Sequence, residues 1–178
     1  MDKEAEALPE FGIKKENEER RDGGCAVVFD PETQLYAVSR GIENDFLRLF
    51  AGGVNEGEDL QKGVLREVTE ESGLHDFLYA EKIGEGFAHY YNSLRNVNRV
   101  TKSTCFLAIL KSRDLVDVKL EEHEKFFLVW EKAKDIITDW KGRNKNKDLD
   151  HWFYFFEKAV KRAKELGYDT TTNLIDLE

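Results

Sequence analysis

The stretch GGVNEGEDLQKGVLREVTEESGL, Gly52 to Leu74, decides how this chain is read. From about Asp59 to Ser72 it has helical periodicity, with Leu60, Val64 and Val68 spaced four apart as an apolar strip that should face a core. Gly73 stands where a helix commonly ends in a left-handed residue. Glu67, Glu70 and Glu71 lie at i, i+3 and i+4, so a helix projects all three from one face within a turn. Like charges at that spacing cost about 0.2–0.5 kcal/mol per pair. A hard divalent cation with oxygen ligands, Mg²⁺ or Mn²⁺, is the economical way to offset that repulsion. The segment holds six acidic residues against two basic ones, so it needs cations before it can meet an anion.

Working outward, Cys25 to Phe29 and Leu35 to Ser39 read as a β-hairpin around the turn Asp30-Pro31-Glu32-Thr33. Phe46 to Phe50 reads as a short strand before Gly52-Gly53. Beyond the helix, Phe77 to Gly84 and Gly86 to Tyr91 read as two strands, Asn92 to Asn98 as a polar turn, and Thr101 to Leu110 as a longer strand. Phe126 to Trp130 is one more strand, Lys132 to Trp140 a short helix, and Lys141 to Lys147 a loop. A final helix follows, capped by Asp148 or Asp150, with Trp152, Phe156, Ala159, Val160 and Ala163 on one face and Gly167 as its stop. Residues 1–22 are charge-rich and read as a tail or lightly docked arm; residues 23–178 read as one domain. The mixture of strands and helices without regular alternation predicts an α+β fold, a mixed β-sheet sandwiched between α-helices.

Composition limits the function classes. With 178 residues, 40% hydrophobic and 35% charged, and with 12 Phe, 6 Tyr and 3 Trp, the chain is expected to fold around one core. No apolar run approaches a membrane span, and the polar, acidic start MDKEAEALPE lacks the features of a secretory signal, so no membrane and a cytoplasmic location are expected. Cys25 and Cys105 sit in apolar strand-like runs and read as reduced core thiols. The net charge of −9 disfavours a long nucleic acid. The basic surplus in residues 141–164, eight Lys/Arg against three Asp/Glu, reads as a solvated face, with an RNA 5′ end as the exception it leaves open.

Gly52, Glu58 and Arg66-Glu67-Val68-Thr69-Glu70-Glu71-Ser72-Gly73-Leu74 fill every position of the pattern Gly-x5-Glu-x7-Arg-Glu-U-x-Glu-Glu-x-Gly-U, where U is aliphatic. At average residue usage, roughly one starting position in 10⁹ matches by accident. The chain therefore resembles the Nudix hydrolases. The resemblance implies the Nudix fold, with the motif as loop, helix and loop. It also implies attack of water on a phosphorus of a nucleoside diphosphate linked to another moiety, with the help of divalent metals.

Carried over by position, Glu67, Glu70 and Glu71 would be metal ligands, with the Gly52 carbonyl a further one. Arg66 and Glu58 would pair to hold the loop. Glu122 and Glu124, in Glu121-Glu122-His123-Glu124, match the loop where family members often carry a further metal-binding or general-base glutamate. Family members often carry Pro where this chain has Ala51, and many form a homodimer.

Substrate preference in the family has been linked to residues after the motif. Pro9 and Pro31, both before it, are the only prolines, so the downstream proline associated with ADP-ribose pyrophosphatases is missing. A tyrosine associated with diadenosine polyphosphate hydrolases falls where this chain has Tyr90 and Tyr91, 16 and 17 residues past Leu74. An aromatic there could stack on a base, and Arg95, Arg99 and Lys102 follow closely enough to meet phosphates. A dinucleoside polyphosphate is the favoured substrate. The alternatives are a house-cleaning nucleoside triphosphate or RNA 5′-end pyrophosphohydrolase and a non-catalytic nucleotide-binding module. Isopentenyl diphosphate isomerase, which resembles the family in fold, needs a reactive cysteine that neither Cys25 nor Cys105 is placed to supply.

Overall fold

The structure is a computed structural model that describes residues 7–93 and 95–178; the first six residues of the expected tail lie outside it. Among the described residues, nine strands form one mixed sheet: β1 (Glu10–Gly12), β2 (Glu19–Arg20), β3 (Gly23–Asp30), β4 (Leu35–Gly41), β5 (Leu47–Arg48), β6 (Phe50–Gly52), β7 (Phe77–Asn92), β8 (Val97–Leu110) and β9 (Phe126–Glu131). Strand β3 is central. It runs parallel to β8 and antiparallel to β4 and β6, while β7 and β8 form a long antiparallel hairpin.

Helices cover both faces, which explains why β3 reads as an unbroken apolar run rather than an alternating one. Ala26 and Val28 pack with Phe50, Val64, Val68, Phe106 and Ala108 beneath helix α1 (Leu60–Ser72). Cys25, Val27 and Phe29 point the other way, toward Trp140 of α2 (Ala133–Arg143) and Phe155, Phe156 and Ala159 of α3 (Asp150–Glu165). Trp140 is fully buried, and its indole N–H donates to the Leu47 carbonyl at 2.9 Å, so the largest core side chain has its polar atom satisfied. This is the mixed sheet between helices expected from the sequence.

Several boundaries differ for identifiable reasons. The two strands expected over residues 77–91 are one, because an irregularity between Lys82 and Gly84 absorbs the glycine without breaking the ladder. The strand expected over residues 46–50 is divided: β5 pairs with β4, and β6 crosses over to β3. Helix α2 extends to Arg143, taking in the start of the expected loop. Neither Asp148 nor Asp150 caps α3; its N-cap is Leu149, and Asp150 instead accepts from the Asn144 side chain at 2.8 Å.

The arm before Gly23 adds two short parallel strands, β1 on β7 and β2 on β8. Buried His89 anchors it, because its Nδ1 lies 2.9 and 3.0 Å from the two carboxylate oxygens of Glu18. No helix is long and apolar enough to cross a membrane.

Candidate active site

Helix α1 sets the first wall of the site. Asp59 caps it by accepting the Lys62 N–H at 3.0 Å, and Gly73 ends it at φ 83° with its N–H on the Thr69 carbonyl. Val64 and Val68 are fully buried, a contribution of about 1.5–3 kcal/mol each, and they fix which face of the helix turns outward. That face carries the acidic residues.

Arg66 organises them. Its Nε and Nη2 donate to the two oxygens of Glu58 at 2.9 and 3.1 Å, and its Nη1 donates to Glu67 at 2.8 Å and Glu70 at 3.0 Å. Glu58 also accepts the Asn55 N–H at 3.0 Å, so one guanidinium ties the loop before α1 to the helix. Glu71 points inward, only 7% exposed, and accepts the Ala51 N–H at 3.1 Å. Burial pushes its carboxyl up to about 9, with the charges of Glu124 and Glu67 adding and the Ala51 N–H and Arg48 opposing. Burial likewise raises Glu67, against the pull of Arg66.

These residues fit a hard cation. The Glu67 carboxylate lies directly against Gly52: a Cβ added there would sit 2.3 Å from Glu67 Cδ. A side chain at this position would have to displace the Glu67 carboxylate. Such an all-oxygen donor set, crowded by like charges and partly desolvated, suits Mg²⁺ or Mn²⁺.

Gly52 and Glu67 open onto a cleft of about 370 Å³ that they share with Arg21, Asn92, Arg95, Arg99, Glu121, His123 and Glu124. Glu121, His123 and Glu124 can bring three ligand atoms within 4.8 Å of one another. The same lining carries the arginines. Arg99 is 7% exposed, and among the described residues its Nε and Nη2 have no hydrogen-bond partner. Glu19 is 3.5 Å away, an ion pair without hydrogen-bond geometry. Leaving buried donors unsatisfied costs about 1–3 kcal/mol each, and more for charged groups.

The expected residues divide into two sets. Gly52, Glu67, Glu124, Arg95 and Arg99 line this cleft, with Glu71 just behind Ala51. Arg66 and Glu70 line a neighbouring concavity with Thr69, Val116, Asp117 and Lys119, because Glu70 turns toward Arg66. Glu122 is exposed and outside the cleft lining.

Tyr90, Tyr91 and Lys102 also lie outside it. Tyr90 stacks on His151 of α3, ring centroids 5.9 Å apart, and the Tyr91 hydroxyl donates to the Asn96 side chain. The Lys102 ammonium lies 4.0 Å from Glu85. Sequence reasoning missed Arg21, Asn92, Glu121 and His123 as cleft residues. Arg21 belonged to the charge-rich segment read as a tail or lightly docked arm, and no local spacing marked Asn92.

Helices cover both faces of the mixed sheet, and a glutamate-rich loop and helix stand at a polar cleft. The family model described as NUDIX domain matches residues 19–153, and the chain belongs to that family, hydrolases of phosphoric anhydride bonds. A search of curated proteins found no match. Among solved structures, a Nudix hydrolase from Listeria monocytogenes is similar at 19% identity and a TM-score of 0.59, over 85% of this chain and 99% of that one. The NUDIX domain of Shewanella oneidensis NrtR, complexed with ADP-ribose, is 18% identical with a TM-score of 0.57, over 82% and 89%. A Caenorhabditis elegans Ap4A hydrolase is 16% identical with a TM-score of 0.55, over 83% and 98%. At these identities the likeness is one of fold.

Proposed function

We propose that the protein is a metal-dependent pyrophosphohydrolase of a nucleoside diphosphate linked to another moiety, with a dinucleoside polyphosphate as the leading substrate. One observation carries this reading: the half-buried Glu67 carboxylate lies against Gly52 and the buried Glu71 carboxyl against the Ala51 N–H, at a cleft whose lining also holds Arg21, Arg95 and Arg99. Glu67, Glu70, Glu71 and the Gly52 carbonyl would hold Mg²⁺ or Mn²⁺. The bound ion would neutralise pyrophosphate charge and lower the pKa of a water molecule.

The chain's own groups supply the rest. Arg66 keeps the Gly53–Glu58 loop and the glutamates in register through its fork to Glu58 and its bonds to Glu67 and Glu70. Glu124 faces the cleft while Glu122 does not, so its carboxylate is the proposed acceptor of the proton from the attacking water. Arg95 and Arg99 receive phosphate oxygens. With Tyr90 packed against His151, the dinucleotide preference is supported by the arginine side of the cleft, which suits a chain of several phosphates. The free cysteines Cys25 and Cys105 support a reducing, cytoplasmic setting.

The test is chromatographic product analysis after incubation with Mg²⁺ or Mn²⁺ and dinucleoside polyphosphates, nucleoside triphosphates, nucleotide sugars, ADP-ribose, NADH or 5′-triphosphorylated RNA. The expected result is metal-dependent cleavage of the dinucleotides, abolished by EDTA and by Glu67→Gln. Turnover that survives thorough chelation would overturn the metal assignment. Cleavage confined to another class would replace the substrate.

A further inference from the structure

We propose that the N-terminal arm is part of the substrate site, and that Arg21 from this arm, with Arg95 and Arg99, forms a subsite for a substrate phosphate outside the pyrophosphate that is cleaved. This rests on the hydrolase reading above and adds to it a substrate class, a chain of at least three phosphates. Charge distribution is the first argument. The protein has 36 acidic residues against 27 basic ones, yet in this one cleft three guanidinium groups match the three carboxylates of Glu67, Glu121 and Glu124 in number. Among the described residues, Arg21 and Arg95 form no ion pair, and Arg99, whose Nη2 lies 3.5 Å from Glu19, keeps two buried nitrogens free of hydrogen bonds. A buried guanidinium with open donors is a receptor for an anion, and its fork matches two phosphate oxygens.

The arm is fastened on both sides of Arg21. Glu19 and Arg20 pair in parallel register with Arg99 and Val100, and the Arg21 N–H donates to the Val100 carbonyl at 3.0 Å. Asp22 then accepts the Lys102 N–H at 3.1 Å, while Glu18 meets His89. Arg21 is thus carried to the cleft by backbone pairing rather than left on a loose tail. At the other end, the Arg95 N–H donates to Asn92, whose side chain also lines the cleft. The carboxylate wall can take a phosphate only through a cation, whereas the arginine wall takes one directly. A phosphate chain long enough to use both walls satisfies both.

The test is binding of inorganic tripolyphosphate to the metal-free protein in EDTA, followed by NMR shifts and calorimetry. Arg21→Gln and Arg99→Gln are compared with Lys161→Gln, a charge control on α3 outside the cleft lining. Saturable one-to-one binding is expected in the parent and the control, about tenfold weaker in each arginine variant. If buried Arg99→Gln unfolds, exposed Arg21→Gln decides alone. In turnover, Arg21→Gln should raise KM about tenfold for a dinucleoside tetraphosphate and by less for ADP-ribose, while Lys161→Gln should leave both as in the parent. No tripolyphosphate binding, unchanged affinity in Arg21→Gln, or equal loss in Lys161→Gln would overturn the subsite. Metal-dependent cleavage with an unaltered KM in Arg21→Gln removes the subsite and keeps the hydrolase. Arginine-dependent binding without cleavage of any compound keeps the subsite and removes the hydrolase.

Discussion

The carboxylate wall around Glu67 comes from one continuous segment, Gly52 to Leu74, with Glu121 and Glu124 added by the loop before β9, whereas the arginine wall takes Arg21 from the arm, Arg95 from a turn and Arg99 from the β8 strand. The first wall is a property of helix geometry: i, i+3 and i+4 spacing brings the glutamates together wherever the helix goes. The second wall exists only after β2 has paired with β8 and β8 with β7. The two also differ in how they carry charge. In the proposed function the glutamates, crowded and held by Arg66, take a cation, and Arg99, buried with donors open, takes an anion.

The largest expected effects break the carboxylate wall. Glu67→Gln and Glu71→Gln should each lower kcat/KM by about 10²-fold or more, equivalent to about 2.7 kcal/mol of transition-state stabilisation, with far-UV circular dichroism unchanged. Gly52→Ala should match them, since its Cβ would fall 2.3 Å from Glu67 Cδ. Near-parental turnover in Gly52→Ala would show that the close approach is dispensable.

Next come residues that hold the wall rather than form it. Glu58→Gln and Arg66→Lys, which lose the bidentate fork, should cost about 10–100-fold and raise the metal concentration needed for half-maximal activity. A loss of kcat with an unchanged metal requirement would separate Arg66 from the cation site.

On the arginine wall the effects should be smaller and salt-dependent. Arg95→Gln is expected to raise KM about tenfold at low ionic strength and less at high salt, because exposed charges are screened over a Debye length of about 8 Å at 0.15 M salt. Arg99 is buried, so the cost of Arg99→Gln should persist in salt. Equal salt sensitivity of both variants would erase that distinction.

The smallest effect on activity is expected at His151, which stacks beneath Tyr90 and supports the β7 strand. Burial lowers its pKa from 6.5 to about 4. The unfolded chain takes up a proton near 6.5 that the folded protein resists. The folded state is therefore unpenalised above that pH and loses stability as pH falls toward 4, by up to about 1.4 kcal/mol per pH unit. His151→Phe removes this titration, so urea unfolding should show the variant gaining on the parent between pH 6.5 and 4 and running level with it above 7. Parallel curves across that range would sink the assignment.

Local sequence by itself determined the helix, its caps, its buried strip and the gathering of Glu67, Glu70 and Glu71, because each depends on contacts within about one turn. It also determined the hairpin turn, where Asp30 accepts from Glu32 and Thr33 as that turn chemistry requires. Tertiary structure decided the rest. It docked the expected tail or arm on the sheet as two short strands, merged the two strands expected over residues 77–91, and drew Tyr90 into packing against α3. It also turned Glu124 into the cleft and left Glu122 outside. Pairing between segments some 80 residues apart, such as Glu19 with Arg99, leaves no periodicity in either segment, so only the assembled sheet could show where Arg21 and Arg99 meet.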